Sequence, residues 1–115
     1  MIPIDEVRRY ALSLPEATET AHWEKPSFRV RDKIFAVLQP GGRTVTVKTA
    51  GEERSFYTAM APEIYRVPET FSKLNYMHVD LELVDPGELK EVLWKAWSNV
   101  APQKLVKETK PILER

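Results

Sequence analysis

Cysteine is absent from the 115 residues. Disulfides, thiolate nucleophiles and zinc–thiolate centres are therefore excluded. Histidine occurs only as His22 and His78, and glycine only four times. The pair Gly41-Gly42 is a turn signal; no Gly-Lys-Ser/Thr follows it, so it is not a phosphate-cradling loop. No serine sits in a nucleophile elbow, and neither histidine has an evident triad partner in the chain. Charge of one sign is also missing: 17 Lys plus Arg balance 17 Asp plus Glu. Dedicated nucleic-acid binders usually carry a basic excess, so the global field gives no help to such a function. No apolar run approaches the ~20 residues of a membrane helix, and no signal-like h-region opens the chain. The expectations are a cytoplasmic, non-enzymatic monomer that needs no cofactor.

What is present is a normal globular balance, 43% hydrophobic and 30% charged, at the length of one domain spanning 1–115. Ile4, Val7, Ala11 and Leu14 recur at helical spacing and predict a first helix over Pro3 to Ser13. Pro15 disfavours helical geometry at Leu14 and ends it. Pro26 to Val30 alternates as a strand, with Phe28 and Val30 on one face and Ser27, Arg29 and Arg31 on the other. Arg31-Asp32 turns into a second, largely apolar strand, Lys33 to Leu38. After the Pro40-Gly41-Gly42 turn, Thr44 to Lys48 forms a third strand, with Val45 and Val47 inward. Thr49 and Glu52 fit a capping box opening a short helix to about Ala59. Ile64 to Val67 reads as a short edge strand. Tyr76 to Leu83 alternates, with Met77, Val79, Leu81 and Leu83 inward. Asp85-Pro86-Gly87-Glu88 is a strong helix start. Leu89, Val92, Leu93, Ala96, Trp97 and Val100 continue it as one apolar face, which predicts Trp97 buried against the sheet. Ala101-Pro102 restarts a shorter helix to about Thr109. The sum is α+β: an antiparallel sheet with N- and C-terminal helices packed on one face.

Two constellations carry chemistry. Arg29, Arg31 and Lys48 fall on the outward face of the strands, with Lys25, Lys33 and Arg43 at its rim, beside the hydroxyls of Ser27, Thr44 and Thr46. Such a set can neutralise or donate to phosphate. From Glu24 to Arg54 seven basic residues stand against four acidic ones, a modest excess that equally suits a solvated sheet face. The second constellation is His22, Trp23 and Phe28. A His beside a Trp, near Glu19 and Glu24, could wall a ligand cleft or move a proton. Alternatively Trp23 plugs the junction of sheet and helices. His22, His78, Asp80 and Glu82 have no diagnostic metal-ligand spacing. Trp94 lies about 140° off the apolar stripe at ~100° per residue. It either faces a partner or packs under the C-terminal segment, on Leu105 or Ile112.

Leu14-Pro15, His22-Trp23, Pro26-Ser27-Phe28-Arg29-Val30, Lys33-Ile34-Phe35-Ala36, Pro62, Ala96-Trp97 and Ala101-Pro102 stand in an order that resembles the MmcQ/YjbR family of small bacterial proteins. The resemblance implies a fold similar to bacterial frataxin (CyaY-like), whose strand pairs have been likened to a double-wing nucleic-acid-binding arrangement. It also implies weak, non-specific DNA binding, with a small-molecule or protein-interaction cleft near His22 and Trp23 as the alternative. There are departures. Asp32 stands where the family often has Gly, and Tyr76 where it often has Trp. Frataxin's acidic iron ridge has no counterpart, because Asp5 and Glu6 are followed by Arg8 and Arg9.

Overall fold

The computed structural model describes residues 1–113, with side chains through Thr109. The chain runs α1 (Ile4–Leu12), β1 (Ala17–His22), β2 (Lys25–Val30), β3 (Lys33–Leu38), β4 (Thr44–Lys48), α2 (Gly51–Met60), β5 (Tyr65–Arg66), a 3-10 turn (Glu69–Phe71), β6 (Tyr76–Asp80), α3 (Pro86–Val100) and α4 (Gln103–Leu113). The six strands form one antiparallel sheet in the order β1-β2-β3-β4-β6-β5. This is the expected α+β class. α3 packs over β2, β3 and β4 and against α1, so one sheet face is covered and the other is open.

The core follows the alternation. Phe28, Ala36, Val47 and Met77 are paired across four strands and almost fully buried beneath the helices. α3 begins where Asp85 accepts from the backbone N–H groups of Gly87 and Glu88, with Pro86 in the first turn. It buries Leu89, Val92, Leu93, Ala96 and Trp97. Trp97 is 0% exposed, and its Nε1 donates to the Pro15 carbonyl at 3.0 Å. That bond ties α3 to the chain just after α1, where Pro15 leaves a carbonyl free of the helix.

Several sequence expectations require correction. The hairpin region holds an extra strand, β1, and His22 ends that strand rather than preceding the first one. β1 was illegible because it is an edge strand: Thr18 to Ala21 are exposed on both faces, so no buried face writes a period-two pattern. Capping at α2 is shifted by one residue. Ala50 holds the N-cap position and its N–H donates to Glu53 Oε1 at 2.8 Å, while the Thr49 hydroxyl is buried without a partner among the described residues. β6 stops at Asp80, not Leu83. Asp80 is buried, accepts from the Glu82 N–H at 2.8 Å, and its carbonyl takes the N–H groups of Leu83 and Val84. Leu83 is consequently half exposed, and Val84 takes the core position instead.

Both hairpins turn on two residues with positive φ: Trp23 (52°) and Glu24 (66°), then Arg31 (50°) and Asp32 (67°). These are the paired left-handed dihedrals of a type I′ turn, whose twist matches that of the strands. Gly at such a position avoids the left-handed cost that a Cβ imposes, which accounts for the Gly expected in place of Asp32.

Candidate nucleic-acid interface

Cross-strand register builds the open face row by row. Thr20, Ser27, Val37, Thr46, His78 and Arg66 are successive partners across all six strands. One row to one side, Lys25 donates to Gln39 Oε1 at 2.9 Å, and Gln39 Nε2 donates to Thr46 Oγ1 at 2.8 Å. Thr46 Oγ1 in turn shares a 2.7 Å hydrogen bond with His78 Nδ1. One row to the other side stand Arg29, opposite Thr18 and Ile34, and Lys48, opposite Tyr76. Arg29 Nε donates to Ser27 Oγ at 3.2 Å, and Lys48 Nζ lies 4.8 Å from the centroid of the Tyr76 ring. These long side chains explain why Ser27 and Thr46 are buried on a face that no helix covers.

A loop closes one side of the face. The Phe71 ring lies 5.6 Å from Tyr76 and 5.5 Å from His78. Arg54, on α2, holds this loop by donating to the carbonyls of Phe71 (3.0 Å), Ser72 (3.2 Å) and Leu74. Arg54 therefore serves as a backbone clamp. His78 is held below the ordinary histidine range, first by burial and then by the positive charges of Arg66 and Lys25. It is accordingly neutral at pH 7.

The expected basic set divides. Arg29 and Lys48 do share the open face, since each is one step from the paired row of Phe28, Ala36 and Val47. Arg31 does not join them. It occupies the turn and grips Glu16 with both ends of its guanidinium, at 3.1 and 3.3 Å; the Arg31 contact holds the Glu16 carboxyl below its usual range. Lys33 is opposite Val30 and falls on that residue's side. The cause is a register shift between Phe28 and Arg29: β3 has an additional residue, Phe35, which points into the core and reverses the alternation beyond it. Arg43 is compensated by Asp80 at 3.3 Å and Glu82 at 3.0 Å. Burial pushes the Asp80 carboxyl up, but the Glu82 N–H and the Arg43 guanidinium more than offset it, so its pKa lies below the usual value.

Lys25, expected at the rim, and Arg66, which was not expected, complete the set. Lys25 and Arg66 both flank His78. Among the described residues, Lys25, Arg29, Lys48 and Arg66 form no ion pair with a carboxylate. Arg66 could not be placed from the sequence, because β5 is only two residues long and its register alone puts Arg66 beside His78.

The cleft of His22, Trp23 and Phe28 does not form. Phe28 is fully buried on the helix-covered side, whereas Trp23 is 82% exposed at the tip of the β1–β2 hairpin. Trp23 therefore does not plug a junction; its ring meets the edge of His22, at 6.2 Å between centroids. Glu19, the nearby carboxylate, is drawn to Arg8 at 2.7 Å. His22 and His78 lie on strands four positions apart in the sheet, and no three potential ligands converge among the described residues. Asp5 pairs with Arg8 at 2.9 Å and Glu6 with Arg9, so α1 presents no acidic ridge.

The family model for YjbR matches residues 12–99. The chain belongs to the YjbR family. A solved structure, the Deinococcus radiodurans protein DR2400 with its DUF419 domain, superposes with a TM-score of 0.77 at 20% identity, covering 96% of this chain and 89% of that one. At that identity the likeness speaks for the fold. No curated protein matches the chain. The YjbR match runs from the last residue of α1 to the penultimate residue of α3 and so includes Lys25, Arg29, Lys48 and Arg66.

Proposed function

We propose that this protein binds nucleic acid weakly and through phosphates, with a single strand lying across the open face of the sheet. The observation that carries the reading is the uncompensated set of Lys25, Arg29, Lys48 and Arg66 on one face, beside the hydroxyls of Thr18 and Thr20. Each cation can neutralise one phosphate, and hydroxyls can donate to others.

The shape of the face favours a single strand over a duplex. Strands about 4.8 Å apart make six strands roughly 24 Å wide, whereas the B-DNA major groove is about 12 Å wide and admits a helix or a two-stranded ribbon. The hairpin tips, which would be the wings inserted into a groove, bring Glu24 at one end and Asp32 with a Glu16-bound Arg31 at the other. Each tip carries a carboxylate, Glu24 or Asp32, which opposes phosphate contact. The partly exposed rings of Tyr76 and Phe71 at one side of the face add surfaces against which bases can stack.

The test is fluorescence anisotropy with a labelled oligothymidylate at low salt. Arg29→Ser, Lys48→Ser and Arg66→Ser combined should abolish binding while the variant still unfolds cooperatively, because none of the three makes an ion pair among the described residues. Arg31→Ser should leave binding unchanged. Wild-type affinity retained in the triple variant, or no association at high-micromolar protein, would overturn the proposal.

A further inference from the structure

On the other side of the sheet, α1 and α3 leave a groove of about 780 Å³ between them, within the usual ~300–1,000 Å³ range of small-molecule sites. Its walls are Tyr10, Leu14 and Trp94, and its rims carry Arg9, Lys90, Glu91 and Lys95. The charges can be assigned one by one. Arg9 is paired with Glu6, and Lys95 with Glu91 at 3.0 Å and the Tyr57 hydroxyl at 3.0 Å. Lys90 has no carboxylate partner among the described residues; its Nζ rests 4.7 Å from the centroid of the Tyr10 ring. The groove thus holds one uncompensated positive charge above apolar, largely aromatic walls.

Trp94 lies one helical turn from Lys90 on α3, so the two share one helix face and border the same groove. Ile112, the alternative cover for Trp94 expected from the sequence, lies outside the residues whose side chains are described.

We propose that this groove binds an organic monoanion with a flat apolar body, such as an aromatic carboxylate. The carboxylate pairs with Lys90, while the body lies against Tyr10, Leu14 and the Trp94 ring. One uncompensated cation suits one negative charge, which favours a carboxylate over a phosphate dianion. The site is separate from the open sheet face, so it stands whether or not nucleic acid binds there.

The test is titration of the full chain with 2-naphthoate, followed by the three tryptophan indole N–H resonances. These are assigned by single Trp→Phe substitution. Naphthoate should shift the Trp94 resonance saturably and leave those of Trp23 and Trp97 in place. The uncharged 2-naphthalenemethanol should bind at least about ten-fold more weakly, and Lys90→Met should weaken naphthoate by a similar factor, as expected for one lost charge-assisted hydrogen bond. Lys90→Met should leave the melting temperature and the affinity for the alcohol unchanged. An unmoved Trp94 resonance at millimolar naphthoate, equal affinity for acid and alcohol, or indifference to Lys90→Met would each refute the site.

Discussion

Replacing Trp97 with alanine tests the packing of the whole fold. The side chain is 0% exposed and faces the sheet from the middle of α3. Truncation removes an indole from a closed core and leaves a cavity, a change that costs about 3–5 kcal/mol. It also strips the Pro15 carbonyl of the donor 3.0 Å away. Against a total stability of about 5–15 kcal/mol for a domain, that is a large fraction. With an unfolding entropy of about 2.1 cal/mol/K per residue, the melting temperature should fall by roughly 12–20 °C. Trp97→Phe separates the two contributions: it retains much of the ring and loses the hydrogen bond, for a smaller cost of about 1–3 kcal/mol. Urea denaturation reads both, the midpoint shifting with little change in slope. A loss below about 1 kcal/mol for Trp97→Ala, the range of an average substitution, would refute the assignment of this helix face to the core.

Three further outcomes are expected. Arg54→Ala should free the loop it clamps, costing about 2–3 kcal/mol from its charged hydrogen bonds and opening residues 68–75 to limited proteolysis. Asp32→Gly should raise stability by up to about 1 kcal/mol in thermal denaturation, because glycine takes the φ of 67° without the left-handed penalty. Because His78 is depressed in the folded state, the unfolded chain binds its proton first. Stability should therefore fall as pH drops below about 6.5, level off once the folded His78 is protonated, and lose this step in His78→Gln.

How much of this was legible in the sequence depended on whether one face of each element was buried. β2, β4 and α3 pack one side against the core, so Phe28, Val30, Val45, Val47 and Trp97 declared themselves by period. β1 has no buried face and was silent. The bulge at Phe35 reversed the alternation that put Lys33 at the rim of the outward face, since a single extra residue reverses every side chain beyond it, whereas Arg31 left that face because it sits in the turn. Charge compensation was equally invisible. Arg31 meets Glu16 and Arg43 meets Asp80 across 15 and 37 residues of chain, and no local pattern shows which cations remain available. The groove at Lys90 and Trp94 depends on how α1 crosses α3, which neither helix encodes alone.

The central claim, phosphate contact by the open sheet face, is tested most directly by the salt dependence of oligothymidylate binding. Four phosphate contacts on a single strand give a slope of about −0.7 per contact, so affinity should fall roughly 50-fold between 50 and 200 mM salt. The loss should be much smaller in the variant lacking Arg29, Lys48 and Arg66. Undetectable binding at low salt, or a slope near zero in the wild-type protein, would contradict the account.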